Sequence, residues 1–182
     1  MSSNDRFEER LLDSKTIFDG RILSLKVDTV SMPDGGTATR EVVAHNGAVA
    51  MLPIDDDGNL ILVKQYRYPI QAAILEIPAG RLERGEDPAK CAARELTEEI
   101  GLRLRSLDLL ASLYVAPGYS GEVIHIFLAR DLVADQAAAD DDENIECIRV
   151  SLDEACEMCR TGEIRDSKTI AGLFLALRRL GQ

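Results

Sequence analysis

No stretch of this sequence is long and apolar enough to cross a bilayer; its apolar runs, such as residues 47–54, fall far short of the ~20 residues a spanning helix needs. Basic residues are scarce. Lys and Arg number 21 against 32 Asp and Glu, a formal charge of −11. Binding to a phosphate backbone draws on clustered Lys and Arg, so this balance argues against a nucleic-acid partner and against an anionic membrane surface. A small anionic ligand remains possible if a metal ion or a local arginine cluster receives it. Met1 to Glu9 is polar and forms no secretory signal, so the expected compartment is the cytoplasm. Cysteine is sparse as well. Cys156 and Cys159 form a CxxC, but no second CxxC or histidine pair completes a zinc set. With Cys91 and Cys147 they read as small apolar residues in a reducing compartment. His45 and His125 stand alone and read as structural or surface residues.

What is present is a globular chain of 182 residues, 46% apolar, enough for one domain with an appendage. The first 15 residues are polar and expected to be loose. Residues 17–44 read as strands around a Met32-Pro33-Asp34-Gly35-Gly36 turn. Residues 47–54 and 59–66 read as a second strand pair around Asp55-Asp56-Asp57-Gly58. Further strands are expected over 104–114 and 122–129, and a surface loop over 133–144. Ser151-Leu152-Asp153-Glu154 is a capping box that opens a helix, and residues 167–180 form another, ending at Gly181. Many short strands with few helices indicate an α+β architecture, a mixed sheet covered by helices.

The informative segment is residues 80–102. Asp87 is an N-cap, Pro88 suits the first helical position and Gly101 suits a left-handed end, so a helix is expected over 88–100. At about 100° per residue, Ala89, Ala92, Ala93, Leu96 and Ile100 share an inward face, and Glu95, Glu98 and Glu99 share the neighbouring flank. Three carboxylates on one flank repel. Arg94, one turn before Glu98, offsets part of that repulsion, and a divalent cation would offset the rest. Oxygen ligands without His or Cys favour Mg2+ or Mn2+.

The spacing resembles the Nudix box, G-x5-E-x7-R-E-U-x-E-E-x-G-U with U aliphatic. Gly80, Glu86, Arg94, Glu95, Leu96, Glu98, Glu99, Gly101 and Leu102 fill every defined position. Beyond the box the chain is similar to the ADP-ribose pyrophosphatase (ADP-sugar diphosphatase) branch of the family. The likeness rests on Arg40-Glu41-Val42-Val43, residues 46–50, Gln65-Tyr66-Arg67-Tyr68-Pro69, Leu75-Glu76-Ile77-Pro78-Ala79-Gly80, residues 116–122 and residues 162–166. Pro117, 16 residues after Gly101, is the family's marker for that branch.

The resemblance implies an α/β/α sandwich, with an N-terminal β segment over 1–45 and a Nudix hydrolase domain over 46–182. It implies a homodimer in which the N-terminal strands reach over the partner and complete its site. It implies metal ligation by Glu95, Glu98, Glu99 and the carbonyl of Ala79, with two or more ions possible. Gly80, Gly85 and Gly101 are structural glycines, Arg94 orients the glutamates, and Glu86 is peripheral to the metals. The general base is expected in the acidic loop 140–146, at Glu143 first and Glu146 second. Arg67 is expected to face the pyrophosphate, Arg40 to reach the partner's site from the N-terminal strands, and Glu122 to lie near the terminal ribose and metals; with Pro117 these are the expected substrate-binding residues. The adenine pocket departs from the family, since the chain has no Trp and Gly20 is followed by Arg21 and Ile22. Phe18, Tyr66 and Tyr68 are the candidates there. The expected activity is hydrolysis of a nucleoside diphosphate sugar, with ADP-ribose giving AMP and ribose 5-phosphate. GDP-mannose or another NDP-sugar is the first alternative, and a non-catalytic nucleotide-sugar-sensing domain the second.

Overall fold

The structure, a computed structural model, describes residues 5–135 and 144–181. The described residues form two compact units, residues 5–46 with 114–123 and residues 47–113 with 124–135 and 144–181.

In the first unit, β1 (Arg10–Asp19), β2 (Ser24–Ser31) and β3 (Thr37–Ala44) form an antiparallel sheet in the order β1-β2-β3. β2 and β3 join through the expected turn, closed by the Met32 N–H donating to the Gly36 carbonyl at 2.8 Å. β1 begins seven residues before the expected strand start at Ile17, inside a segment read from its polarity as loose. Pairing with β2, from Arg10 opposite Ser31 to Asp19 opposite Ser24, satisfies the backbone groups along one edge of β1 whatever the side chains are.

The second unit carries two further sheets and all three α-helices. β4 (Ala48–Pro53) is buried along its whole length. It pairs antiparallel with β7 (Ala79–Arg81) and parallel with β9 (Val123–Ala134); β8 (Leu102–Tyr114) flanks β9, giving the mixed order β7-β4-β9-β8. Strand side chains alternate between the two faces, and a sheet buried on both has apolar residues throughout. Ala48, Ala50 and Leu52 of β4 join Ile124, Ile126 and Leu128 of β9 in one core cluster. Val49, Met51, Phe127 and Ala129 face the other way, into a second cluster with Cys91, Ala92 and Leu96. These last three lie on α1 (Pro88–Ile100), whereas α2 (Leu152–Thr161) and α3 (Ser167–Leu180) supply the first cluster. Helices thus cover both faces of the mixed sheet, as expected of an α/β/α sandwich.

β5 (Asn59–Arg67) belongs to the other sheet, in the order β10-β5-β6, with β6 (Ala72–Glu76) and β10 (Glu146–Ser151). This corrects the expected strand pair. The Asp55–Gly58 turn forms, with the Gly58 N–H donating to the Asp55 carbonyl at 3.0 Å, but β4 and β5 share only the bridge between Ile54 and Leu60. Both edges of β4 are taken by β7 and β9, so β5 diverges into a new sheet. The expected loop from residue 133 also starts late, because β9 continues to Ala134.

Candidate active site

The local signals that delimit α1 hold at both ends. Asp87 Oδ1 accepts from the N–H groups of Ala89 at 3.0 Å and Lys90 at 3.1 Å. Gly101 adopts φ 66°, and its N–H donates to the Thr97 carbonyl at 3.0 Å. With Cys91, Ala92 and Leu96 turned into the core, the glutamates are left on the adjoining flank.

Arg94 gathers them. Its Nη1 donates to Glu95 Oε1 at 2.8 Å and to Glu98 Oε2 at 3.0 Å. Its Nε and Nη2 donate to the two oxygens of Glu86, each at 3.2 Å. A guanidinium presents several donors in one plane, so one side chain can hold three carboxylates. The Glu86 carboxylate in turn accepts the Glu83 N–H at 2.9 Å, which ties the loop before α1 to the helix. The bond to Arg94 holds the Glu86 carboxyl below the usual carboxylate range, and the same bond to Glu86 raises the Arg94 pKa. Burial pushes the neighbouring Cys91 thiol up to about 12, so it stays protonated.

β7 closes the site from the other side. The Ala79 N–H donates to Glu99 Oε2 at 3.0 Å. Gly80 is required by closeness and not by a turn: an ideal Cβ there would lie 1.8 Å from Glu95 Cδ. Its backbone lies in a strand, which differs from the expectation of a turn glycine, whereas Gly85 at φ 80° and Gly101 do hold left-handed positions. Burial disfavours the cation of Arg67, at the end of β5, but its hydrogen bond to Glu76, helped by the charges of Glu76, Glu99 and Asp166, raises its pKa.

Among the described residues no three acidic, imidazole or thiol groups are gathered into a ready metal cage. Glu95 and Glu98 turn to Arg94, and Glu99 turns to the Ala79 N–H. The donor set still suits a hard divalent cation. Three carboxylates of one loop-helix unit converge on a single guanidinium, Glu99 lies on the same helix, every side-chain ligand is an oxygen, and backbone approaches at Ala79.

The other named residues fall elsewhere. Arg40 is in the first unit, where its Nε donates to Glu9 Oε2 at 2.9 Å and its Nη2 to Glu9 Oε1 at 2.5 Å. Pro117 lies in a turn where the Ala116 carbonyl accepts from the N–H groups of Tyr119 at 3.1 Å and Ser120 at 2.9 Å. Glu122 is not alone, for its Oε1 lies 3.4 Å from Nδ1 of His45, a residue expected to be isolated. His125 Nδ1 likewise lies 2.8 Å from Ser112 Oγ. Glu143 lies outside the described residues. Glu146 is not in a loop but starts β10, opposite Lys64. Next to it, burial pushes the Cys147 thiol above its usual range, with a smaller contribution from the Glu99 charge. Phe18, Tyr66 and Tyr68 are exposed, so none of the three is a core residue.

Comparison with known proteins shows the family. The NUDIX domain matches residues 44–173, and the nucleoside diphosphate sugar hydrolase N-terminal domain matches residues 9–43. This chain belongs to the Nudix family. Among its Nudix relatives, the methanol dehydrogenase activator of Bacillus methanolicus is 43% identical, over 90% of each chain. The ADP-ribose pyrophosphatase of Bacillus subtilis (strain 168) is 40% identical, over 89% of each. A solved structure titled as an ADP compounds hydrolase superposes with a TM-score of 0.86 at 26% identity, covering 96% of this chain and 95% of that one.

Sequence reading missed one Nudix-domain feature. Arg67 is held by Glu76, which is 2% exposed and also bonded by Lys168. The available signal was a lone acid between the aliphatic residues Leu75 and Ile77, where a buried strand ordinarily carries none.

Proposed function

We propose that this chain is a Mg2+- or Mn2+-dependent hydrolase of nucleoside diphosphate sugars, cleaving ADP-ribose to AMP and ribose 5-phosphate. The reading is carried by the acidic flank of α1, collected by Arg94 and set against the β7 backbone at Ala79 and Gly80. Glu95, Glu98, Glu99 and the Ala79 carbonyl hold the cations. When bound, a divalent cation neutralises charge on the diphosphate and acidifies the attacking water. Arg94 aims Glu95 and Glu98 and relieves the mutual repulsion of the flank while no cation is bound. Arg67 supplies a guanidinium to the diphosphate oxygens, offsetting charge as one phosphate departs.

A carboxylate at the start of β10 or in the segment before it takes the proton of the attacking water, with Glu143 the first choice and Glu146 the second. The N-terminal β segment, residues 1–45, serves dimerisation in this reading. Arg40 and Glu122 contribute to substrate binding, and Pro117 shapes the loop beside the terminal ribose.

The test is a product screen with ADP-ribose, ADP-glucose, GDP-mannose, NADH and dATP, each with Mg2+ and with Mn2+, beside Glu99→Gln. The expected outcome is AMP from ADP-ribose, lost in the variant. Preference for GDP-mannose would keep the mechanism and replace the substrate. Tight metal-dependent binding of a nucleotide sugar without turnover would make the chain a sensor.

A further inference from the structure

Behind Arg67 lies a charge network that joins β6 to the first turn of α3. Arg67 Nε donates to Glu76 Oε1 at 2.6 Å and its Nη2 to Glu76 Oε2 at 3.2 Å. Lys168 Nζ donates to the same Oε2 and lies 3.0 Å from Asp166 Oδ1. Asp166 Oδ2 caps α3, accepting from the Thr169 N–H at 2.9 Å and the Thr169 hydroxyl at 2.6 Å. Thr169 Oγ1 in turn accepts the Ile77 N–H at 2.9 Å, one residue beyond Glu76. Two cations and two carboxylates thus form a closed, charge-balanced set around a carboxylate that is only 2% exposed.

A buried carboxylate with no partner is costly, and so is a buried carboxylate that has lost one. Here the partners also define geometry. Glu76 occupies the Nε–Nη2 side of the guanidinium, which fixes its plane. The other edge, made by Nη1 and the second hydrogen of Nη2, has no hydrogen bond among the described residues. That edge is a fork of the spacing that phosphate oxygens accept. Lys168 takes part of the Glu76 charge, so Arg67 is anchored without being fully neutralised.

We propose that Glu76 and Lys168 are positioning residues for the diphosphate-facing arginine: they lock Arg67 side-on and leave its end-on edge to the substrate. This rests on the reading that Arg67 contacts the diphosphate. Misplacing a substrate-holding group by about 1 Å costs on the order of 100-fold.

The test is a double-mutant cycle on kcat/KM for ADP-ribose with Mg2+, combining Arg67→Ala with Glu76→Gln and, separately, with Lys168→Ala; Tm is recorded for each protein. Alone, Glu76→Gln is expected to lower kcat/KM by about 10- to 100-fold. Lys168→Ala is expected to lower it less, and Lys168→Arg to restore most of that loss. In the Arg67→Ala background neither substitution is expected to cost more than a further twofold, because the group being positioned is gone. Equal losses in both backgrounds would overturn the inference and make Glu76 and Lys168 parts of the fold. An Arg67→Ala protein with unchanged kcat/KM would remove the role of Arg67 and this inference with it. Should Glu76→Gln fail to fold, the half of the cycle built on Lys168 separates the same two outcomes.

Discussion

A Cβ on residue 80 would lie 1.8 Å from Glu95 Cδ and 2.2 Å from its Cγ, so alanine there displaces the Glu95 carboxylate, a proposed metal ligand, while the backbone stays in β7. Gly80→Ala is therefore expected to weaken Mn2+ binding by about 10- to 100-fold with little change in Tm. A Mn2+ titration followed by EPR beside a melting curve checks both halves. Glu86 makes a different point, about charge. Its carboxyl is held below 4.5 in the folded chain by Arg94, so the folded state favours the ionised form. That stability is complete above the unfolded value and is lost as pH falls through the lower folded one. The Tm advantage of wild type over Glu86→Gln is expected to shrink as pH falls below 4.5. The motif made Gly80 and Glu86 legible as positions. It did not show why each residue is needed, because the clash with Glu95 and the grip of Arg94 depend on side-chain placement.

At the scale of elements, the helices were legible and the short strands were not. α1 and α3 span the residues expected because their caps are local: Asp87 and Gly101 for one, Asp166 and Gly181 for the other. β6, β7 and β10 are three to six residues long and exist because a neighbouring edge was open to them. The divergence of β4 from β5 has the same cause, since a tight turn dictates a reversal but not which strand fills the edge beside it. Besides the Lys168–Glu76 pair, a hydroxyl ties α3 to the chain just beyond β6: Thr169 Oγ1 accepts the Ile77 N–H. Thr169→Val leaves the buried Ile77 N–H without its acceptor and is expected to destabilise the protein by about 1–3 kcal/mol. Urea unfolding with an unchanged m-value would show it.

At the scale of the whole molecule, composition speaks first. A chain of charge −11 that handles a diphosphate needs a local cation for it, and Arg67, anchored in the second unit by Glu76, is the one proposed for that role. The first unit instead exposes Leu11, Leu12, Ile17 and Phe18 of β1, between 52% and 61% each. Unpaired apolar strand surface favours association, in line with the proposed dimer. Sedimentation velocity is expected to give a dimer for the chain, and Leu12→Lys with Phe18→Lys is expected to shift it toward monomer. An unaltered sedimentation coefficient in that variant would remove β1 from the interface.

Residue order alone was enough for the Nudix box, the bounds of the helix that bears it and the oxygen-only chemistry of its flank. These follow from spacing along one element, where cap, period and charge act over a few residues. Packing in three dimensions was needed for the rest: Arg94 holding three carboxylates at once, Gly80 making room for Glu95, and Arg67 anchored by Glu76 and Lys168. Glu76 and Lys168 are 92 positions apart in the chain, and no local propensity selects such a partner; packing β6 against α3 brings the two charges together, and the cost of a lone buried carboxylate keeps them paired.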